Sequence, residues 1–322
     1  MAKVVCFGEA LIDLIARPRT PGRPPCYEQY AGGAPANVAT AVARLGGDAA
    51  FVGMLAEDPF GDFLLESLEA SGVDTRHAPR TRAARTALAF VSLAADGERS
   101  FSFYHSPAAD QLFRIEHFDE HCFDEAAVFH ACSNSLTSEP LAEATLAGMM
   151  RAREAGALVS FDVNLRPALW EAGADPVSPI REALAMADLV KVSRSELDYL
   201  ARPAAGEAAL LEALWKGHTR LVLATDGEGP LRFYTRHGNG GVPAFPVAAL
   251  DTTAAGDAFV GGFLQWLVDS SRPFHDIESA PERIEAGLRY GAACGALAVT
   301  RHGSFAAMPS AGEVRDFLRG MG

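Results

Sequence analysis

The sequence predicts an α/β protein in which helices cover both faces of a mostly parallel β-sheet, with a small second β-sheet beside it. Short apolar runs alternate with helical stretches of about 10–15 residues along most of the chain, a pattern typical of βαβ units. Two segments break the alternation: a Pro- and Gly-rich stretch at 18–33 and a pair of strand-like runs at 85–105. The regular part predicts the main sheet, and the two exceptions predict the small one.

The elements of the main sheet follow from buried apolar runs and from residues that start and stop helices. The predicted strands are 3–12, 49–55, 126–132, 157–164, 188–193 and 220–227. The predicted helices are 34–46, 59–72, 138–155, 180–187, 257–269 and 281–299. A further strand-like run, "VPAFPVAAL" (242–250), precedes the helix at 257–269.

The small sheet is predicted from the two interrupting segments. Asp96-Gly97 lies between the strand-like runs of 85–105, and Asp-Gly in that setting is a strong hairpin signal. Together with 18–33, the hairpin would form a flap that projects from the main sheet; the alternative is two surface excursions without a role. Its apolar run "ALAFVSL" (87–93) would suit pairing of two flaps in a homodimer, or it packs on the core of its own chain.

Composition bounds the class of protein. A chain of 322 residues is compatible with a single α/β domain, and its formal net charge of −13 disfavours nucleic acid and anionic lipid as partners. The five cysteines form no CxxC pair, which favours a reduced, cytoplasmic location. Glu9 and Asp13 interrupt the apolar N-terminus, which argues against a signal peptide, and no apolar stretch is long enough to predict a membrane span.

A parallel α/β sheet favours a nucleotide or another phosphorylated ligand at the carboxyl ends of its strands. The usual nucleotide motifs are absent from this sequence. None of its lysines follows a glycine, as a Walker A loop requires, and no G-x-G-x-x-G opens a helix. Zinc-binding spacings and the G-x-S-x-G nucleophile motif are also missing. The phosphates of such a ligand therefore need another anchor.

The stretch "DTTAAGDAFVGGF" (251–263) offers that anchor. The small residues Ala254, Ala255 and Gly256 leave backbone N–H groups accessible at the start of a predicted helix, where the helix dipole also favours an anion. Asp257 follows in the first turn. Its carboxylate is either placed to act beside a bound phosphate or only complements the dipole, an effect of about 0.3–1 kcal/mol.

Three segments in this order resemble the ribokinase-like (PfkB) carbohydrate kinases: "AGGAPANVA" (31–39), "FDVNLRP" (161–167) and "DTTAAGDAFVGG" (251–262). The resemblance extends over essentially the whole chain, and the Gly-Asp motif near the C-terminus is specific. Within the family, the stretches "GEALIDLI", "GGAPANVA", "YHSPAADQLF" and "FDVNLRPALW" are most similar to fructokinases.

The resemblance implies a ribokinase-like fold: a Rossmann-like three-layer core with a β-lid, in one domain over 1–322 whose lid comprises roughly 14–33 and 84–110. It implies transfer of the ATP γ-phosphate to a primary hydroxyl of a small-molecule sugar, with ATP, Mg²⁺ and K⁺ as cofactors. Fructose, giving fructose 6-phosphate, is the sugar it favours. Among enzymes the alternatives are 2-keto-3-deoxygluconate kinase, ribokinase and aminoimidazole riboside kinase; outside them, the alternative is a catalytically inactive sugar-binding homologue.

The resemblance also assigns roles to residues at matching positions. Asp257 matches the catalytic base, and the anion hole matches Ala254, Ala255 and Gly256. The positions that match sugar contacts are Asp13, Gly32, Gly33 and Asn37. Those that match the phosphate, Mg²⁺ and nucleotide sites are Asn164, Glu196 (Mg²⁺ through water), Thr225, Gly227 and Gly229. The carbonyls that match a K⁺ site lie around Asp251, Thr253, Ala298, Arg301 and Gly303.

Several site residues have a structural alternative. A buried unpaired carboxylate is unfavourable, so Asp13 is expected at a strand tip that faces a polar ligand, or else it caps a turn. Arg166 would hold a phosphate or sugar oxygen, or a surface salt bridge, and His105 would touch the sugar or only lie on the flap. The remaining alternatives are local: a turn for Gly32 and Gly33, capping for Asn37 and a helix-start acid for Glu196. Lys191 is expected to have a structural role and not a catalytic one.

Four positions depart from the common pattern of the family. These are Ala254 in place of Gly, Ser193 in place of Asn, His105 in place of Arg and Ala292 in place of Asn. Ala254 is compatible with its turn provided that its φ is not positive. Ser193, in the nucleotide site, can still hydrogen-bond a phosphate or a water, and the change at His105 bears most on which sugar is bound.

Overall fold

The computed structural model describes residues 2–17, 22, 24, 26–93, 99–104, 107–270 and 274–321. Its strands are β1 (Lys3–Phe7), β2 (Leu11–Ala16), β3 (Tyr27–Gly32), β4 (Asp48–Val52), β5 (Leu55–Ala56), β6 (Arg80–Thr81), β7 (Leu88–Leu93), β8 (Arg99–Tyr104), β9 (Ala126–Cys132), β10 (Leu158–Asp162), β11 (Leu189–Ser193), β12 (Leu221–Thr225), β13 (Leu231–Thr235) and β14 (Gly238–Val242). Its α-helices are α1 (Ala34–Arg44), α2 (Pro59–Ala70), α3 (Glu139–Glu154), α4 (Val177–Met186), α5 (Arg194–Ala201), α6 (Glu207–Leu214), α7 (Ala255–Asp269), α8 (Pro281–Ala298) and α9 (Ala311–Gly320).

An eight-stranded sheet, ordered β14-β13-β12-β11-β10-β9-β1-β4, forms the middle layer. The strands from β12 to β4 pair in parallel, and they correspond to the six strands predicted from the apolar runs. The hairpin β13–β14 adds an antiparallel edge that the sequence analysis did not predict. Its second strand, GNGGV, has little apolar character to reveal it. The prediction of a mostly parallel sheet is confirmed.

Successive residues of each central strand enter different cores, because side chains alternate between the two faces of a sheet. Val5 and Phe7 of β1 pack in one core with α3, α4, α5 and α6. Val4 and Cys6 pack in the other core with α1, α2, α7 and α8. The sheet therefore carries helices on both faces, as the alternation of strands and helices predicts, and the fold has three layers.

The predicted strand 3–12 is wrong as a single element. Strand β1 ends at Phe7, and Gly8 adopts a φ of 144°, which a residue with a side chain rarely adopts. A Cβ at Gly8 would also lie 2.7 Å from the Cγ of Pro35 at the start of α1. The chain therefore bends at Gly8, and its continuation as β2 belongs to the small sheet.

The small sheet has the order β3-β2-β7-β8. Strand β3 comes from the predicted segment 18–33, and β7 and β8 come from the predicted segment 85–105. Strand β2 pairs antiparallel with β3 and parallel with β7, and β7 and β8 form an antiparallel hairpin. The predicted turn at Asp96-Gly97 lies outside the described residues. Asp58 fixes the base of this sheet to the core: its carboxylate caps α2 and accepts hydrogen bonds from Thr86 N (2.9 Å) and Thr86 Oγ1 (2.7 Å).

The predicted strand at "VPAFPVAAL" is also wrong. Strand β14 ends at Val242, and residues 243–250 pair with no strand of the described chain. Pro243 and Pro246 have no N–H group to donate to a ladder, so an extended run containing both is a poor sheet strand. The segment instead returns the chain to the main sheet, where Leu250 N donates to Val299 O at 2.7 Å.

No helix among the described residues combines the length and apolar character that crossing a membrane requires.

Candidate active site

A cavity of about 990 Å³ opens at the carboxyl ends of the parallel strands, where open α/β sheets bind their ligands. The strand-end residues that line it include Glu9 after β1, Asn134 after β9, Asn164 after β10 and Thr225 at the end of β12. The predicted site residues that line it are Asp13, Gly33, Asn37, Asn164, Arg166, Ser193, Thr225, Gly227, Thr253, Ala254, Ala255, Gly256 and Asp257. Residues from distant parts of the chain therefore meet in one place.

Helix α7 points its N-terminus into the cavity. Ala254 precedes the helix with a φ of 58° and a ψ of 10°, in the left-handed region, and its side chain makes no capping hydrogen bond. Alanine fits this turn without strain only if its φ is not positive, and the φ of Ala254 is positive. The chain must reverse between Thr253 and Ala255, and alanine adopts this conformation at a cost of about 1–2 kcal/mol.

Asp257 lies in the first turn of α7 and is buried. Its Oδ2 accepts a hydrogen bond of 2.7 Å from Asn37 Nδ2, which projects from the first turn of α1. Burial raises the pKa of Asp257, and the hydrogen bond from Asn37 and the charges of Lys191 and Arg166 oppose that rise. The two helices can approach closely because Gly261 of α7 packs against α1, where a Cβ would lie 2.5 Å from that of Ala41.

Lys191 stands next to this helix terminus. Its Nζ donates to Asp162 Oδ2 at 3.0 Å, and a Cβ on Gly256 would lie 3.1 Å from the same Nζ. Burial lowers the pKa of Lys191, but Asp162, Glu196 and Asp257 raise it more, so the pKa is above its ordinary value and the group is a cation. The sequence predicts a structural role for Lys191, but in the structure its charge lies in the cavity wall.

Asp13 belongs to the small sheet, in the middle of β2, and not to the tip of a core strand as expected. It is buried, and its Oδ2 accepts a hydrogen bond of 2.9 Å from Ser304 Oγ. Burial raises the pKa of Asp13 to about 6; the Ser304 hydrogen bond opposes this rise, while Asp257 and Asp251 add to it. Asp13 and Asp257 therefore line the same cavity as two buried carboxylates.

Two predicted glycines shape the same region. A Cβ on Gly32 would lie 2.3 Å from Asp13 Oδ2, and Gly33, with a φ of 105°, precedes α1 directly. Both positions exclude a side chain. Arg166 is exposed at the cavity mouth, with its Nη1 3.3 Å from Leu165 O. His105 lies outside the described residues.

The predicted nucleotide residues border the other half of the cavity. Asn164 is buried with a φ of 31°, Thr225 ends β12, and Gly227 has a φ of 55°. Gly229 does not line the cavity; its N–H donates to Asp226 O at 2.7 Å and closes the turn. Ala292 contributes to an apolar wall made by α8.

Glu196 is held by backbone groups and does not line the cavity. It forms a capping box with Ser193 at the start of α5, and its Oε1 also accepts a hydrogen bond of 2.8 Å from Leu165 N. Within the described chain, Glu196 therefore makes the contacts of an acid at the start of a helix, which is the structural alternative to a Mg²⁺ site.

Asp251 joins the two loops that carry the carbonyls predicted to bind K⁺. Its buried carboxylate accepts hydrogen bonds from Thr253 N at 2.9 Å and from Gly303 N at 3.2 Å. The segment before α7 and the segment after α8 therefore lie side by side. Ala298 is the last residue of α8, and its carbonyl accepts a hydrogen bond of 3.1 Å from Arg301 N in the second segment.

The structure adds residues that the sequence analysis missed. Glu9 and Asn134 line the cavity, and Asn134 Nδ2 donates to Glu9 Oε1 at 2.9 Å. Ser304 holds Asp13 from 291 positions away. Lys191 carried one signal, a lone cation within the apolar strand DLVKVS. Glu9 likewise interrupts an apolar run, but Asn134 and Ser304 carried no signal, since their roles arise only from the packing of distant segments.

The fold and the cavity together are those of an α/β phosphotransferase that acts on a sugar, and comparisons with known proteins agree. Residues 1–311 match the pfkB family of carbohydrate kinases. The chain is 43% identical over 319 residues to fructokinase-1 of Zea mays, covering 98% of this chain and 97% of that protein. The chain belongs to the pfkB carbohydrate kinase family.

Solved structures show the same relationship. Fructokinase from Xylella fastidiosa with bound ATP has a TM-score of 0.94 and 52% sequence identity, covering 99% of each chain. A fructokinase double mutant from Vibrio cholerae O395, in its fructose, ADP and potassium ion bound form, has a TM-score of 0.88 and 34% identity, covering 99% of this chain and 98% of that chain. The predicted family and fold are confirmed.

Ala254→Gly is expected to stabilise the protein by about 1 kcal/mol, because glycine adopts a positive φ without the steric penalty of a Cβ. The free energy of unfolding in urea measures this change. Ala209→Gly, at an exposed position inside helix α6, is the matched control and should destabilise by about 0.5–1 kcal/mol. A loss of stability in both variants would contradict the left-handed conformation of residue 254.

Proposed function

We propose that this chain is a fructokinase, which transfers the γ-phosphate of ATP to the primary hydroxyl of fructose that gives fructose 6-phosphate. The observation that carries the proposal is the buried Asp257 beside the N-terminus of α7 and the Lys191 cation. A carboxylate next to an anion-binding helix end provides a base and a phosphate anchor in one place. The relatives named fructokinase support fructose as the acceptor.

Asp257 is the proposed general base. Asn37 Nδ2 holds its Oδ2, which orients Oδ1 to take the proton from the sugar hydroxyl as that oxygen attacks. General-base help of this kind contributes about 10²–10⁴-fold to the rate. Burial raises the pKa of Asp257 and makes its carboxylate a stronger base. Lys191 and Arg166 limit that rise, which favours the ionised form near neutral pH.

The phosphoryl group that moves would lie between Asp257 and the helix end. Backbone N–H groups of 254–257 and the Lys191 ammonium would stabilise its negative charge, since positioned donors and cations dominate catalysis of phosphoryl transfer. Arg166 at the cavity mouth adds a second cation. Asn164, Ser193, Thr225, Gly227 and Gly229 would hold the nucleotide, and the apolar wall at Ala292 its base.

The residues present fit a Mg²⁺ ion that is held mainly by the nucleotide. No group of three or more acidic, His or Cys side chains suited to a metal occurs in the described part of the chain. Mg²⁺ commonly keeps several waters and binds substrate phosphates with few protein ligands, so Glu196 would act through a water. When bound, the ion would neutralise charge on the β- and γ-phosphates. K⁺ would bind carbonyls of the two loops that Asp251 joins.

The sugar would occupy the part of the cavity between Asp13 and Asp257. Asn37 Oδ1 is buried, and no group in the described chain donates to it, so a sugar hydroxyl is a suitable partner. Asp13 would accept further hydroxyl hydrogen bonds, and Gly32 and Gly33 let the sugar approach the backbone. Leu11 and Phe103 of the small sheet line the cavity from above, so the sheet would serve as a lid that excludes water.

The outer face of this lid supports a homodimer. Tyr27 and Tyr104 are 44% and 67% exposed. The rings of both tyrosines contact the ring of Phe90, with centroid distances of 5.4 Å from Tyr27 and 5.1 Å from Tyr104. The buried Ala87, Ala89 and Val91 show that only part of the predicted apolar face is available for pairing. Light scattering should give the mass of a dimer, and a monomer mass at micromolar concentration would overturn this proposal.

We also infer a cytoplasmic location, since all five cysteines are unpaired.

A panel of sugars tests the acceptor. ATP consumption should be fastest with fructose and weaker with ribose, 2-keto-3-deoxygluconate and aminoimidazole riboside, and removal of K⁺ should lower the rate. Faster turnover of another sugar would replace fructose and leave the kinase assignment intact. Sugar binding without turnover of any sugar would favour the non-catalytic alternative.

Asp257→Asn is expected to lower kcat by at least about 10²-fold, because asparagine cannot accept the hydroxyl proton. Binding of the sugar, measured by calorimetry, should stay nearly unchanged. Asp269→Asn, on the last turn of the same helix, is the control for a lost acid in α7. A kcat close to that of the wild type in Asp257→Asn would exclude the base assignment.

Lys191→Met is expected to lower kcat by about 10²–10³-fold, the loss typical of one group that stabilises developing charge. Lys216→Met removes an exposed lysine and should have no effect. Circular dichroism checks that the Lys191 variant folds, since Asp162 loses its ion-pair partner. If a folded Lys191→Met enzyme kept its kcat, Lys191 would have the structural role that the sequence analysis gave it.

A further inference from the structure

Ser304 is fully buried in the segment that follows α8, directly after Gly303. Its Oγ donates a hydrogen bond of 2.9 Å to Asp13 Oδ2. The two residues come from opposite ends of the chain: Asp13 from the small sheet, and Ser304 from the core. This hydrogen bond therefore links β2 of the small sheet, which lines the cavity, to the segment that follows α8.

The segment that carries Ser304 is fixed from two sides. Gly303 N donates to the buried carboxylate of Asp251 at 3.2 Å. On the other side, the ring of Tyr30 of β3 packs so closely that a Cβ on Gly303 would lie 2.4 Å from it. Ser304 therefore presents its hydroxyl from a well-packed position and not from a free loop.

The Asp13 carboxylate is confined as well. Gly32 of β3 lies so close that a Cβ there would overlap Asp13 Oδ2 at 2.3 Å. Oδ2 is thus enclosed by the Gly32 backbone and the Ser304 hydroxyl. Because Gly32 and Ser304 crowd Oδ2, Oδ1 is the more accessible oxygen for a ligand in the cavity, which Asp13 lines.

We propose that Ser304 is a positioning residue for sugar recognition: it holds Asp13 so that one carboxylate oxygen faces the hydroxyl groups of the bound sugar. The inference rests on the proposed function. It adds to the sugar site a residue that lies outside the motifs shared with the carbohydrate kinases. Ser304 does not touch the sugar. It acts through Asp13, and because Asp251 holds both Gly303 and Thr253, it also ties the sugar site to the turn before α7.

A purely structural role makes a different prediction. If the hydrogen bond only satisfied a buried hydroxyl and attached the small sheet to the core, its loss would lower stability and disturb the kinetics of both substrates. A positioning role affects the sugar alone, because Asp13 lies in the small sheet, whereas the residues proposed to hold the nucleotide lie at strand ends of the main sheet.

The first experiment measures steady-state kinetics of Ser304→Ala with fructose and ATP. The KM for fructose should rise about tenfold, the effect of losing one hydrogen bond to a charged group, while kcat and the KM for ATP stay within about twofold. Ser160→Ala removes another buried hydroxyl, which lies 3.0 Å from His130 Nδ1 and away from the cavity, and should leave the KM for fructose unchanged. A similar rise in the KM for ATP, or an unchanged KM for fructose, would overturn the proposal.

A double-mutant cycle provides the sharper test. Asp13→Asn should raise the KM for fructose strongly, and adding Ser304→Ala should then change it by less than about twofold, because the carboxylate that Ser304 holds is already lost. Full additivity of the two effects would contradict a role through Asp13. If Ser304→Ala does not fold, Ser304→Cys keeps a side chain of similar size with a weaker donor and should give the same selective rise.

Calorimetry with fructose alone separates this inference from the proposed function. If wild-type protein does not bind fructose, the proposed acceptor is wrong, and the same variants are then measured with the sugar that the panel identifies. If wild-type protein binds fructose and Ser304→Ala binds it equally well, only the role of Ser304 is wrong.

Discussion

The hydrogen bond between Asn37 and Asp257 is the contact on which the rest of the site depends. It joins the first turns of α1 and α7, two helices that pack side by side on one face of the main sheet. Their approach requires small residues at the crossing, such as Gly261 against Ala41. Because both helices start at the carboxyl edge of the sheet, this packing brings a carboxylate, an amide and a helix N-terminus to one point.

Burial of charge is the second constraint on this cavity. Asp13, Asp162 and Asp257 are all buried, and desolvation raises the pKa of each. Lys191, a buried cation, opposes this rise at Asp162 and Asp257, and it pairs directly with Asp162. Buried carboxylates with few hydrogen-bond donors around them are unfavourable, so the hydroxyl donors of a bound sugar would stabilise them.

Most of the fold could be predicted from the sequence, because the six parallel strands are short apolar runs separated by helices with clear starts and stops. The errors have local causes. The strand 3–12 continues in pattern through Gly8, although the backbone bends there. The run 242–250 has strand-like residues but contains Pro243 and Pro246. Strand β14, GNGGV, is rich in glycine and has no apolar pattern that predicts a strand. A hydrophobic pattern shows which residues are buried, but the pairing of strands depends on the backbone geometry.

The sequence by itself determined the family, the order of the layers and the candidate base, since each rests on neighbouring residues: small residues before Asp257, and Gly32-Gly33 before α1. Only the tertiary structure decided that Ala254 has a positive φ, that Lys191 stands beside Gly256, that Asp13 belongs to the small sheet and that Ser304 holds it. The reason is physical. These properties are set by contacts between residues as many as 291 positions apart, and no local pattern in the sequence encodes them.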